Sequence, residues 1–211
     1  MKILIAVPCM DQVPSQFAFS LAMLNKVGDC AISFQLGSLI YTSRNDLAKK
    51  SIELGCDYVF WLDSDITFKP DTLERLVADL DKGDIITGLY YRRVKPFTPV
   101  VFEKLVIDEN GCDWGDPMEI PDDVFEVAGC GFGCVLMPTN IFLDVAGKFN
   151  GQMFNPLANV GEDLSFCWRA RECGYKIVCD PRIPLGHIGH YTIDGEFYKS
   201  YMGAKNGSKN H

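Results

Sequence analysis

A chain of 211 residues, 47% hydrophobic and 23% charged, has the composition of an ordinary soluble globular protein built on a single core. Its formal net charge of −8 argues against nucleic acid as a partner, since phosphate backbones require a basic face, and any phosphorylated ligand would need a cation beside it. No segment approaches the ~20 apolar residues of a membrane helix, and the apolar run before Pro8 in MKILIAVP is too short for a signal-peptide core.

The expected compartment is therefore cytoplasmic, with the nine cysteines reduced and mostly buried. There is no CxxC, and the spacing of Cys167, Cys173 and Cys179 is not that of zinc ligands, so these three are expected in the core.

Ile3 to Val7 reads as a first buried strand closed by Pro8. Ser15 offers a cap for a helix with Phe17, Leu21 and Leu24 on one face, ended by Gly28. Ala31 to Leu36 is a second strand. Thr42 and Ser43 then offer a cap for a helix from Arg44 to Leu54, closed by Gly55 in the left-handed position. Tyr58 to Leu62, apolar and aromatic, has the length and make-up of a buried strand. Pro70 opens a helix with Leu73, Leu76, Val77 and Leu80 at core-facing spacing, and Asp84 to Tyr90 is a further strand. This alternation with short links predicts a mostly parallel sheet flanked by helices.

The rhythm breaks from Arg92 to Val124, where Lys95-Pro96, Thr98-Pro99, Asn110-Gly111 and Asp116-Pro117 predict a ribbon and long loop around one strand at Val100 to Glu103. Gly129, Gly131 and Gly133 then alternate along one strand, leaving a bare face that suits either tight packing or the approach of a ligand. A helix from Thr139 to Ala146 ends at Gly147. Glu162 and Asp163 open another that Gly174 closes, with Lys176 to Cys179 as the last strand. The tail, Ala204 to His211, is polar and expected to be disordered.

Two groups of acids stand out. Asp63-Ser64-Asp65 follows the Tyr58–Leu62 strand directly, and in an extended chain its two carboxylates share a face. Two adjacent carboxylates suit a hard divalent cation such as magnesium or manganese, against the plainer reading of an acidic strand end capping the next helix. Glu162 and Asp163 favour the helix dipole as simple caps, yet Gly161 before them also permits close approach of a ligand.

The order of these features, DSD after a buried strand, Arg44-Asn45 upstream, alternating glycines, Gly161-Glu162-Asp163 and a late Gly186-His187, resembles the GT-A-fold glycosyltransferases, and most closely their family 2 group of small bacterial or phage type. The likeness runs from Met1 to about His190 and implies one α/β GT-A domain over 1–203, with 204–211 as tail. It implies transfer of a sugar from a UDP- or GDP-linked donor to a glycan, lipid or protein hydroxyl, with Mn²⁺ or Mg²⁺. Pro8 and Arg44 would meet the nucleotide. Asp63, Asp65 and His187 would form the metal site, Asp65 binding the ion directly and Asp63 meeting the ribose or the metal's water shell, and His190 has weaker support. Asp163 would be the catalytic base of an inverting reaction, with Glu162 orienting acceptor or donor.

The pattern departs from that group in two places. Gln35-Leu36-Gly37 stands where paired aspartates are usual, which leaves the choice of base open, and no QxxRW of processive synthases is present. Asp63 to Thr67 also fits DxDxT, the motif of haloacid-dehalogenase-type phosphatases, with Asp63 as nucleophile. That motif belongs after a first strand and needs a later GDxxxD, which Gly115-Asp116 does not complete at Ile120. HIGH at His187 to His190 lies too near the end to open the nucleotide-binding helix of a synthetase. A protein of this fold that binds a nucleotide sugar without turning it over is the remaining alternative.

Overall fold

A computed structural model describes residues 1–37, 39–108, 111–117, 119–157, 159–189 and 199. His190, the domain boundary at 203 and the tail expected over Ala204–His211 lie outside the described residues. The elements in chain order are β1 (Lys2–Cys9), α1 (Ser15–Met23), β2 (Asp29–Leu36), α2 (Ile40–Glu53), β3 (Tyr58–Leu62) and β4 (Ile66–Phe68). Next come α3 (Thr72–Ala78), β5 (Ile85–Leu89), β6 (Val101–Phe102), β7 (Lys104–Asp108), β8 (Gly111–Gly115) and β9 (Phe125–Glu126). Then follow β10 (Gly129–Cys130), β11 (Cys134–Pro138), α4 (Asn140–Lys148), α5 (Glu162–Glu172) and β12 (Ile177–His187).

The main sheet runs β2-β1-β3-β11-β5-β12-β4, with β9 also paired to β12. β1 and β3 read as unbroken apolar runs because both their faces are covered. Ile3, Ile5, Val7, Phe60 and Leu62 pack with Phe17 of α1 and Leu73 and Leu76 of α3. Leu4, Ala6, Val59 and Trp61 pack on the other side with Leu47 of α2, Phe142 of α4 and Phe166 of α5. The expected α/β layering is present, but the sheet is mixed rather than mostly parallel. β11 lies antiparallel between β3 and β5. After β5 the chain forms the 91–124 insertion without a crossover helix, so it re-enters the sheet from the same end and must run the opposite way.

Several boundaries differ from the sequence pattern for local reasons. Ser15 is the first residue of α1 rather than its cap, because Pro14 takes the cap position and accepts the Ala18 N–H at 3.0 Å. α1 ends at Met23, and Gly28 (φ +66°) serves a later turn where a Cβ would stand 2.3 Å from the Met1 carbonyl oxygen. α2 starts at Ile40, before the expected Arg44, because the Leu39 carbonyl accepts the N–H groups of Thr42 and Ser43 at 3.1 and 3.2 Å. Gly55 and Gly174, at φ +62° and +93°, stop their helices as expected. Gly147 does not, since α4 continues to Lys148.

The glycine run is not one strand. β10 pairs with β6 of the insertion, the chain turns at 131–133, and β11 begins at Cys134. The space left by the glycines is filled from within: a Cβ on Gly131 would lie 2.2 Å from the Tyr90 hydroxyl, and one on Gly133 2.8 Å from its ring. Packing, not ligand approach, accounts for them. β12 is longer than the expected Lys176–Cys179. An irregularity between Asp180 and Pro184 lets its first part pair with β5 and its last part with β4. His187 therefore sits at a strand end opposite Ile66, not in a free loop.

Gly131→Ala is expected to destabilise the protein by about 1–3 kcal/mol through overpacking against Tyr90. Gly147→Ala, whose Cβ would meet nothing within 4 Å, should stabilise α4 by roughly 0.5–1 kcal/mol. Urea unfolding of the two variants measures both signs.

Candidate active site

β3 carries Trp61 and Leu62 into the core and stops there. Asp63, Ser64 and Asp65 form a turn, closed by the Ile66 N–H on the Asp63 carbonyl at 3.1 Å. The expected extended geometry, with both carboxylates on one strand face, is not found. The turn is tied down on both sides: the Asp63 N–H donates to Gly133 O at 3.1 Å, and the Asp65 carbonyl accepts the Ile188 N–H at 2.8 Å. The two carboxylates consequently take different partners.

Asp63 faces Arg44. The Arg44 guanidinium, with only 2% of the side chain exposed, donates Nη2–H to Asp63 at 2.8 Å and Nε–H to Glu162 at 3.1 Å. It lies over an aromatic floor, its Cζ 5.5 Å from the Trp61 ring centroid and 5.3 Å from that of Phe132. That floor continues through Phe142, Phe154 and Phe166, the last two stacked at 4.3 Å. Burial works against the Arg44 charge, but Asp63 and Glu162 outweigh it and hold the guanidinium ionised. Burial also pushes the Asp63 carboxyl up, and Arg44 only partly offsets this.

Glu162 and Asp163 reach the cluster from the first turn of α5. The loop leading to α5 is pinned by Asn45, next to Arg44, and by Arg169 of α5 itself. Asn45 accepts the Phe154 N–H at 3.0 Å, and buried Arg169 donates to the Met153 and Asn155 carbonyls at 2.9 and 2.7 Å. Asp163 accepts the Leu164 N–H at 2.7 Å. A Cβ on Gly161 would fall 2.8 Å from the Asp163 carboxylate, so this glycine makes room for that carboxylate. Burial first, then the Glu162 charge, raise the Asp163 carboxyl to about 6. Such an acid is poised to exchange a proton near neutrality.

Asp65 faces the other way, towards His187 and Arg93. Burial would raise its carboxyl, but the His187 and Arg93 contacts outweigh that and hold it below the usual carboxylate range. The His187 Nδ1–H donates to the Tyr91 carbonyl at 2.8 Å, and the bond to Asp65 raises the His187 pKa, so Nε2 would become a metal ligand only on giving up its proton. Its Nε2 is turned to the Asp65 carboxylate at 3.4 Å. Oxygen and nitrogen donors at this separation fit two adjacent ligands of one hard or borderline cation. Among the described residues no group of three His, Cys, Asp or Glu converges as a ligand set, because Asp63 is turned to Arg44. A cation here would complete its shell from the ligand's own oxygens and water.

The two halves meet at a cleft of about 310 Å³ at the carboxyl ends of β1 and β3, lined by Pro8, Gly37, Arg44, Asp63, Asp65 and Glu162 among others. Asp163 borders the cluster closely enough to feel the charges of Arg44 and Asp63. A larger groove of about 570 Å³, between Leu105, Trp168 and Tyr175, holds none of these acids. Sequence reasoning missed Arg93 and Tyr90. Arg93 opens the insertion just past a strand end, and Tyr90, under the cleft, accepts the Gly133 N–H at 3.2 Å. Only the position after β5 marked them. All nine cysteines are unbridged, and Cys167 and Cys179 are buried in the core as expected, with Cys173 half-buried.

No protein-family model matches the chain, and no curated protein matches it by sequence. Among solved structures, A197 from STIV superposes with a TM-score of 0.60 at 19% identity, over 92% of this chain and 87% of that one. GalNAc-T7, solved with UDP, GalNAc and Mn²⁺, superposes with a TM-score of 0.60 at 12% identity, over 92% of this chain and 44% of that one. At such identities the likeness is one of fold, and the fold is the α/β GT-A fold.

Removing the Arg44 guanidinium leaves two carboxylates facing each other over an aromatic floor. Arg44→Met is expected to lower stability by about 2–4 kcal/mol, less than for a wholly buried pair because Asp63 keeps some contact with water. Arg44→Lys should recover only part, since one ammonium cannot reproduce the two-armed geometry. Urea unfolding at neutral pH measures both.

Proposed function

We propose that the protein is a metal-dependent glycosyltransferase, moving a sugar from a nucleoside-diphosphate donor to the hydroxyl of a glycan, lipid or protein acceptor. The observation that carries this reading is that Asp65 and Glu162 line one cleft of a GT-A fold, with His187 set against Asp65 and with Asp163, its carboxyl raised to about 6, next to Glu162. Kinship with the family 2 group rests on the order of the motifs alone.

Pro8 and Gly37, at the ends of β1 and β2, flank the cleft where a nucleotide would lie. Asp63, held by Arg44, would accept a hydrogen bond from a ribose hydroxyl. Asp65 and His187 would hold Mn²⁺ or Mg²⁺, which when bound stabilises charge on the departing diphosphate. The acceptor hydroxyl attacks the anomeric carbon and passes its proton to the Asp163 carboxylate. The bond from that carbon to the phosphate oxygen breaks, and its electron pair leaves with the nucleotide. Glu162, anchored by the Arg44 Nε–H, orients the acceptor or donor and through its charge keeps Asp163 basic. These roles describe an inverting reaction.

A phosphatase would need Asp63 as its nucleophile, and the bond to Arg44 disfavours that role. A panel of nucleoside diphosphates and nucleotide sugars, with and without Mn²⁺, tests the transferase: thermal stabilisation and donor hydrolysis are expected. Stabilisation without turnover would leave a binding module, and hydrolysis of a generic phosphomonoester lost in Asp63→Asn would favour the phosphatase.

Asp163 must be ionised to accept a proton, so kcat/KM is expected to rise with pH and reach half its plateau near 6. Asp163→Asn should keep nucleotide binding and lose roughly 10²–10⁴-fold in turnover. The same change should raise stability. A carboxyl whose folded pKa lies above its unfolded value costs stability once pH exceeds both, so at neutral pH the asparagine variant gains about 1–3 kcal/mol, a gain that shrinks as pH falls from 6 towards 4. Melting curves at pH 4.5 and 7.5 separate the two regimes.

A further inference from the structure

Two positive side chains line the cleft, and they are held differently. Arg44 is buried, with Nε and Nη2 both spent on carboxylates. Arg93 stands at the mouth, its side chain 49% exposed and its guanidinium on the Asp65 carboxylate. It touches the same oxygen, Oδ2, that faces the His187 Nε2. Arg93 therefore already neutralises the carboxylate oxygen that a cation would share with His187.

The backbone behind Arg93 is fixed. The Arg92 N–H donates to the Thr98 carbonyl at 2.9 Å, and its guanidinium stacks 5.2 Å from the Trp114 ring centroid and 3.7 Å from Asp116. Tyr91, one residue earlier, supplies the carbonyl that orients His187. The insertion is thus anchored on one side while the Arg93 side chain reaches over the cleft.

We propose that Arg93 is a phosphate-binding residue that competes with the divalent cation for Asp65 and, once displaced, pairs with the diphosphate of a bound nucleotide. The inference rests on the transferase reading above. A divalent ion drawn in between Asp65 Oδ2 and His187 Nε2 would repel the guanidinium that now contacts the same oxygen, so the two cations compete for it. The ion carries twice the charge and has the imidazole as a second donor, whereas Arg93 is half-exposed and its attraction to Asp65 is partly screened by water. A guanidinium released at this point remains within side-chain reach of the cleft, and its planar fork matches two phosphate oxygens. The charge count calls for it. Asp63, Asp65 and Glu162 face Arg44 and Arg93 across the cleft, so the lining is already acidic before a diphosphate enters.

The test compares wild type, Arg93→Ala and Arg93→Lys in two titrations. In the first, Mn²⁺ alone is followed by electron paramagnetic resonance, and Arg93→Ala is expected to bind it three- to tenfold more tightly because Asp65 is freed. In the second, UDP, GDP, ADP and CDP are titrated calorimetrically at saturating Mn²⁺. The best-bound nucleotide should lose at least tenfold in affinity in Arg93→Ala and part of its salt dependence, with Arg93→Lys between. A merely structural role would weaken both titrations together. Equal diphosphate affinity in wild type and Arg93→Ala, or unchanged or weaker Mn²⁺ binding in the variant, would overturn the inference alone. A wild-type protein that binds none of the diphosphates would overturn the transferase reading and this one with it.

Discussion

A single guanidinium, buried between two acids from distant parts of the chain, holds the cleft together. Arg44 lies on α2, Asp63 after β3 and Glu162 at the start of α5, and at the cleft one side chain joins these three elements by bonding two carboxylates at 2.8 and 3.1 Å. The aromatic rings beneath exclude water from one face and favour a delocalised, weakly hydrated cation over an ammonium. Such a pair costs desolvation, and its return is a fixed geometry more than raw stability. Asp163, next along from Glu162, inherits that position. It also inherits the repulsion of the Glu162 charge, which with burial keeps it half-protonated near pH 6.

The acids of the cleft are divided by partner: Arg44 takes Asp63 and Glu162, while Arg93 and His187 take Asp65. Arg44, Asp63 and Glu162 are packed on the core, and Tyr90 fills the space beneath the turn that the glycines leave. Asp65, His187 and Arg93 lie at the mouth, tied to the insertion through the Tyr91 carbonyl. A ligand could rearrange the second set without disturbing the first.

Much of this was legible in the residues. Apolar runs at Ile3–Val7 and Tyr58–Leu62 announced strands buried on both faces, because no polar residue interrupts either. Gly55 and Gly174 marked helix ends, since a left-handed residue there costs glycine little. The two acidic groups were visible as motifs, and the cleft brings both to its rim. Less legible was the start of α2, where a backbone carbonyl at Leu39 takes the place of the side-chain cap that Thr42 and Ser43 suggested. The glycine alternation was ambiguous on its own terms, because Tyr90, which fills the space at Gly131 and Gly133, lies more than 40 positions away.

The chain's own order of residues determined the layering, the buried strands and the chemical types gathered at their ends, because hydrophobic period and turn residues act over a few positions. The tertiary structure alone decided how the acids are shared out. Asp63 and Asp65 are neighbours in sequence, yet a turn sends one to Arg44 and the other to His187 and Arg93. It also decided the antiparallel insertion of β11 between β3 and β5, which follows from where a long connection re-enters the sheet. Both depend on contacts between residues tens of positions apart, and no local pattern encodes which distant cation a carboxylate will meet.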